Sequence, residues 1–239
     1  MRAKKITAWS FSRYLDYKQC PFKAKCKHID KIKEPPNPAM ARGSAIHDMS
    51  EKYIKGVGRT VPKELKLFSE LFKMLRKRYK TKLNSMVVED MWAFTKSWDQ
   101  TQWNNWAECF VRIKVDTAWF IDDVTMIVND WKTGKYREDQ NELYVEQLEL
   151  YALAVLILYE HVEKVVPQLT YLDVGFVYPP IGQAIEFTRK DIPKLKKLWA
   201  KRIKPMLNDT IFAPTPNRFC NWCYFKAANK DNGGGQCKF

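Results

Sequence analysis

The sequence has no long apolar run. Its longest, Tyr151 to Tyr159, falls far short of the ~20 residues needed to cross a bilayer, which excludes a membrane-spanning protein. Glycine and proline are scarce, at 9 and 12 of 239 residues, which excludes collagen-like and low-complexity chains. No extended apolar core opens the chain, since Trp9 to Phe11 is too short for one. The sequence therefore predicts no export signal and a cytoplasmic protein. No internal repeat is present.

Acidic residues are the next shortage. Asp plus Glu number 27 against 41 Lys plus Arg, a formal charge of +14. Such an excess points first to nucleic acid, because neutralising phosphates releases their counterions. An anionic membrane surface would instead require a basic amphipathic helix with a broad apolar face. With no export signal, the six cysteines (20, 26, 109, 220, 223 and 237) are expected to hold metal or react rather than form disulfides.

Periodicity predicts a mixed α/β protein, a small sheet with helices on its faces. Ser10 is expected to cap a short helix through Gln19, ended by Cys20-Pro21. Residues 34–38 break regular structure. Ser44 is expected to cap a second helix to about Lys55, and 63–82 to form a third with a strongly basic end. Strands are predicted at 86–95, 108–121 and 124–131, with Asp122-Asp123 as a tight turn and Cys109 inside a strand as a core residue. A long helix over 138–160 carries Glu138, Glu142, Glu146 and Glu149 on an expected solvated face. A strand at 169–178, a short one at 183–188, a basic helix at 191–207 and an irregular tail at 213–239 complete the expectation.

Chemistry concentrates in two places. The first is Asp116 in the second predicted strand and Asn129-Asp130-Trp131-Lys132-Thr133-Gly134 at the end of the third. If these strands form a hairpin, both carboxylates reach one end of the sheet and suit a hard divalent cation. Lys132 lies two residues from Asp130, hence on the same face of a strand. The second place is Cys220-Asn-Trp-Cys223, with Cys237 after a gap of 13 residues. Three thiolates and a fourth from elsewhere suit an iron–sulfur cluster or structural zinc equally.

Asp116, a gap of 13 residues, then Asp130-Trp131-Lys132-Thr133-Gly134 resembles the PD-(D/E)XK nuclease superfamily, and within it the RecB-like exonuclease branch. Three further segments resemble that branch in the same order: Ser10 to Cys20-Pro21, Gly43-Ser-Ala-Ile-His47 with Glu51, and Gln147-Leu-Glu-Leu-Tyr151. The resemblance implies that His47, Asp116, Asp130 and the backbone carbonyl of Trp131 bind Mg²⁺ or Mn²⁺. It implies that Lys132 positions the nucleophilic water and that Gln147 and Tyr151 stand beside the site. Glu89 lies near where some members carry an extra acid. Glu51 is expected to pair with Lys55 instead. Members such as the AddB-type and CRISPR-associated exonucleases hold a [4Fe-4S] cluster with one N-terminal and three C-terminal cysteines. This implies Cys20, Cys220, Cys223 and Cys237 as ligands, with Cys26 in reserve because the gap before Cys237 is long for the family, and with structural Zn²⁺ as the alternative.

The nine tryptophans include Trp92, Trp98, Trp103 and Trp106 between the first strands, and at least half of the nine are expected in the core. Together these observations predict a single nuclease domain over 1–239, with a helical part at 1–85, a catalytic sheet at 86–190 and a basic helix and Cys-rich tail at 191–239. Its partner is DNA, single-stranded or with free ends. A structure-specific endonuclease and a catalytically silent DNA-binding protein are the alternative readings.

Overall fold

Local chemistry at the helix ends explains where this computed structural model, which describes residues 5–35, 37–81 and 86–239, agrees with those expectations and where it departs. Ser10 accepts a hydrogen bond from the Arg13 N–H and starts α1 (Phe11–Gln19), as expected. Pro21 does not end the helical region. It takes the first position of α2 (Pro21–His28), where a missing N–H costs nothing. The next helix, α3 (Pro38–Ile54), begins earlier than the predicted Ser44 because Asn37 caps it through the Ala39 N–H and Pro38 follows. A 3₁₀ turn (Lys63–Phe68) and α4 (Ser69–Thr81) replace the single helix predicted at 63–82. Pro36 and Lys82 of the predicted segments lie outside the described residues.

The strands are β1 (Trp9–Ser10), β2 (Met86–Phe94), β3 (Gln100–Thr101), β4 (Val111–Phe120), β5 (Thr125–Lys132), β6 (Lys164–Tyr171), β7 (Phe176–Tyr178) and β8 (Phe187–Thr188). The main order is β3-β2-β4-β5-β6-β7, with β1 beside β4 and β8 beside β6. Strands β2, β4 and β5 form an antiparallel meander. The parallel pair β5 and β6 needs a crossover, which α5 (Asn141–Leu158) supplies. The strand predicted at 169–178 is instead a hairpin of β6 and β7, turned at Leu172 to Gly175, where Gly175 takes φ +65°. Cys109 lies in the turn before β4 rather than in a strand, and is buried.

Helices cover both faces of the sheet. On one face, α1, α5 and α6 (Ile192–Asn208) pack against Val111, Ile113, Val115, Met126 and Val128. Trp9 stacks on Trp199 there, with ring centroids 5.1 Å apart. On the other face, α3 and α4 bury Ile54, Phe72 and Leu75 against Trp119 and Trp131. Each such side chain contributes ~1.5–3 kcal/mol on burial. Six tryptophans (9, 92, 98, 119, 131 and 199) are buried, in line with the expectation of a tryptophan-rich core.

One charged residue overturns its prediction. Glu146 is buried, not solvated, because α1 and α6 close over that side of α5. Its carboxylate accepts from the Tyr14 hydroxyl at 3.2 Å and from Lys18 Nζ at 3.0 and 3.1 Å, and lies 3.4 Å from Arg202 Nε.

Candidate active site

The antiparallel register of β4 and β5 ends with Thr117 opposite Asn129, so the next residues outward are Asp116 and Asp130. The Trp131 N–H donates to Asp116 Oδ2 at 2.7 Å, which ties the two strands together at this point. In an extended strand the N–H and C=O of one residue face the same side. The Trp131 carbonyl therefore also faces β4, while the neighbouring Lys132 carbonyl bonds the Leu172 N–H on the β6 side.

A second irregularity lies across β4. Pairing of β2 with β4 runs Val88–Thr117 and then Asp90–Val115, which leaves Glu89 opposite Asp116 and outside the ladder. Glu89 holds φ +51°, a conformation uncommon outside glycine. The third contributor is α3, whose Gly43 lies so close to the loop after β5 that a Cβ there would stand 3.3 Å from Thr133 Oγ1. This approach carries His47, one turn further along, to the same place. His47 Nδ1 lies 3.1 Å from Asp116 Oδ1 and 3.8 Å from Glu89 Oε1. Among the described residues, His47, Glu89 and Asp116 form the one group of three metal-ligating side chains whose ligand atoms converge within 4.8 Å.

On the α5 side the polar groups form a chain. Tyr151 donates to Asp130 Oδ1 at 2.6 Å, and Gln147 Nε2 donates to the same oxygen at 3.0 Å. Gln147 Oε1 accepts from Lys132 Nζ at 3.0 Å. Lys132 Nζ also lies 2.6 Å from Asp130 Oδ2, an ion pair without a hydrogen bond.

Like charges govern the electrostatics. Burial, and then the charge of Asp130, push the Asp116 carboxyl upward, with His47 pulling the other way. Burial would lower the His47 pKa, but the bond to Asp116 and the charges of Asp116, Asp130 and Glu89 raise it. Burial and the same two aspartates hold the Tyr151 hydroxyl well above its ordinary range, so it stays a donor. Two buried oxygens, Asp130 Oδ2 and Glu89 Oε1, have no hydrogen-bond donor. Orphaned carboxylate oxygens beside a histidine are the donor set of a hard or borderline divalent cation. The residues present therefore fit such an ion.

Thus His47, Asp116, Asp130, Lys132, Gln147, Tyr151 and the Trp131 backbone come together. Glu51 does not join them; it bonds Lys55 at 2.6 Å, as expected. Asp122 Oδ1 accepts from the Val124 and Thr125 N–H groups, in keeping with a turn. Glu89 was only loosely placed by the sequence, because Glu89-Asp90 offers two adjacent acids on opposite sides of a regular strand and nothing local says which one turns inward.

The cysteines gather elsewhere. Cys20, Cys220, Cys223 and Cys237 all line one cavity of about 750 Å³ between the N-terminal helices and the tail. Asn217 joins the two ends of the chain, its side-chain N–H donating to the Gln19 carbonyl at 2.9 Å. Backbone N–H groups of Thr215 and Asn217 point at the sulfurs of Cys20 and Cys220, at 3.5 and 3.3 Å. Cys26 does not line this cavity, and burial followed by the Asp30 charge pushes its thiol up to about 11. Among the described residues, no three cysteine sulfurs lie within 4.8 Å of one another. A tetrahedral zinc with ~2.3 Å bonds would draw its sulfurs closer than that, to ~3.8 Å.

Comparison with known proteins adds a family. Residues 8–228 match the PD-(D/E)XK nuclease superfamily. Among solved structures, a candidate exonuclease from Eubacterium rectale is 12% identical, with a TM-score of 0.49 over 95% of this chain and 88% of that one. The protein SSO0001 is 15% identical, with a TM-score of 0.36 over 93% of this chain and 85% of its own. Both likenesses are too distant to add to the family match. No curated protein matches the chain.

Proposed function

The chain belongs to the PD-(D/E)XK nuclease superfamily, and from that premise we propose that it is a metal-dependent deoxyribonuclease of the RecB-like branch. On this reading it acts as an exonuclease on single strands or free DNA ends, as one nuclease domain. The observation that carries the proposal is the set of mutually repelling buried carboxylates around His47, two of whose oxygens lack any hydrogen-bond donor.

In this reading His47, Asp116, Asp130, the Trp131 carbonyl and Glu89 would hold Mg²⁺ or Mn²⁺. When bound, such an ion activates water and offsets charge on phosphoryl oxygens. Lys132 carries its ammonium within reach of both Asp130 and Gln147, where it can orient a water for attack on phosphorus. Gln147 fixes Lys132 and Asp130 relative to each other. Tyr151 holds one Asp130 oxygen and leaves the other facing Lys132. The buried walls restrict the water that reaches these groups.

Cys20, Cys220, Cys223 and Cys237 are proposed to hold a [4Fe-4S] cluster. The backbone N–H donors aimed at two of the sulfurs support this reading. Such a cluster would clasp both ends of the chain. Metal analysis and visible absorbance of protein purified without oxygen test this; stoichiometric zinc without iron would overturn it.

The test of the activity is cleavage of end-labelled single-stranded DNA with Mn²⁺ or EDTA, alongside a circular strand. Metal-dependent loss of the linear substrate alone is expected. Cutting of both would make the protein an endonuclease on the same site. No cleavage by protein with its cysteine site filled would leave a DNA-binding protein and remove the roles assigned above.

A further inference from the structure

Beyond the cleft, one exposed indole is held in place by its neighbours. Trp106 is 74% exposed. Yet one face of its indole is covered by the Arg112 guanidinium, 4.0 Å from the ring centroid. Trp103 takes the same guanidinium at 5.1 Å. The turn that carries both rings is pinned by Asn105, whose side chain donates to Thr101 Oγ1 and to Glu108 Oε2 at 3.2 and 2.8 Å. Arg112 donates to Cys109 Sγ at 3.3 Å, and among the described residues no carboxylate pairs with it. Arg13 lies near enough for the two guanidiniums to repel. The platform is thus aromatic, held in place and positively charged, with no carboxylate paired to its guanidinium.

Its position on the sheet connects it to the carboxylates. Alternation along β4 puts Val111, Ile113 and Val115 in the core and turns Arg112, Lys114 and Asp116 to the opposite face. The register with β2 lines up three successive cross-strand positions on that face: Glu89 across from Asp116, Met91 across from Lys114, and Ala93 across from Arg112. Met91 is 53% exposed, so the face is uncovered here. Arg112 and Asp116 are four residues apart, which is ~13 Å along a strand. That distance corresponds to roughly two to four nucleotides, depending on whether a strand is stretched or stacked at its ~3.4 Å rise.

We propose that the free face of Trp106, backed by Arg112, is a subsite on which a base of single-stranded nucleic acid stacks while the same strand reaches the carboxylate site. The inference rests on the nuclease reading for the second half of that sentence only. Base–aromatic stacking needs an unpaired base, tolerates any sequence and is strengthened by a neighbouring arginine. A base in an intact duplex offers no free face, so the subsite discriminates single from double strands.

The test uses the full chain and a labelled DNA of about 15 nucleotides, near the upper site size of a single-strand-binding fold, as a single strand and as a duplex. Binding is measured in EDTA and cleavage separately with Mn²⁺. The expected result is that Trp106→Ala weakens single-strand binding about tenfold, within the range that one stacked base supplies. Duplex binding stays unchanged, and so does the slope of affinity against salt, since no phosphate contact is lost. Trp106→Phe, which keeps a ring, should recover most of the loss. Unchanged single-strand binding in Trp106→Ala would overturn the inference and leave the ring to a protein contact. Equal losses on both DNAs, or wild-type protein that binds neither, would also overturn it. Wild-type protein that binds single strands but does not cut them would sink the nuclease reading alone, and the binding comparison would still decide the subsite.

Discussion

Helix α5 separates two clusters of buried charge that are built on opposite rules. On one side Glu146 meets Tyr14, Lys18 and Arg202, so its carboxylate is compensated by a hydroxyl and two cations. On the other side, one residue further along the helix, Gln147 enters a cluster where Asp116, Asp130 and Glu89 face one another. There Lys132 and Lys114 pair with Asp130 and Glu89 at 2.6 and 2.7 Å, but three carboxylates share two lysines, and one oxygen each of Asp130 and Glu89 has no hydrogen-bond donor. Burying charge is tolerable when it is paired and hydrogen-bonded, and costly when it is not. The first cluster is therefore an element of the fold. The second is an expense of the fold, retained for something that binds there.

The sharpest way to break the comparison is Asp130→Asn. It removes one negative charge from the crowded side and keeps the shape. Cleavage with Mn²⁺ is expected to fall about a thousandfold or more, the scale of several kcal/mol of lost charge stabilisation. Thermal stability without metal should change little, because relief of the repulsion from Asp116 offsets loss of the Lys132 ion pair. Mn²⁺ at about 100 times its dissociation constant should stabilise the wild type by about 2.7 kcal/mol, and the variant far less. A variant that cleaves at the wild-type rate would remove Asp130 from the chemistry.

On the compensated side the outcome should invert. Glu146→Gln leaves Arg202, whose side chain is only 18% exposed, still paired with Glu149, while Lys18 at 41% can hydrate. The loss is therefore that of charge-assisted hydrogen bonds, ~1.5–3 kcal/mol, or roughly 6 °C in a chain of this size. Residual activity of the folded variant should remain within an order of magnitude. Calorimetry and cleavage run on the same samples separate the two effects. A larger loss of activity than of stability would mean that the two sides of α5 are not distinct.

A smaller effect tests compensation near the N-terminus. Burial would raise the Asp16 pKa, but bonds from His28 and Lys27, with the Lys27 and Lys23 charges, bring it down to about 2. Because the folded pKa is depressed, the stabilisation is complete above the ordinary value of 3.8 and is lost as pH falls through about 2. Asp16→Asn should cost on the order of 2 kcal/mol at neutral pH. The gap between wild type and variant should close between about pH 4 and pH 2 in acid-denaturation curves. A constant gap over that window would assign the loss to packing instead.

The contrast between the clusters also separates what the sequence reveals from what it hides. The β4–β5 hairpin was legible because alternation, turn chemistry and the Asp130-Trp131-Lys132 spacing all depend on near neighbours. Glu89 was not, because its inward turn requires a positive φ and a broken ladder, set by β2, β4 and α3 meeting at one point. Glu146 failed for a related reason. A row of glutamates at helical spacing reads as solvated, and only the arrival of α1 and α6, from distant parts of the chain, buries one of them. Helix α2 was missed because Pro21 can stop one helix or start another, and only the following residues' packing decides.

The smallest predicted effect guards the boundary of the carboxylate cluster. Glu51 shares a helix face with His47 at a spacing of one turn, so proximity in sequence makes it a rival ligand. In the structure it bonds Lys55 at 2.6 Å on an exposed surface, and it is absent from the group that converges on His47. An exposed pair of this spacing is worth ~0.3–0.5 kcal/mol and is screened by salt. Glu51→Gln should therefore lower stability by no more than that, and the loss should vanish at high ionic strength. Its Mn²⁺ titration of cleavage should overlay the wild-type curve, whereas Glu89→Gln should shift the same curve to higher metal concentration. If the two variants exchanged these behaviours, the inward carboxylate would be Glu51 and the strained turn at Glu89 would have no functional account.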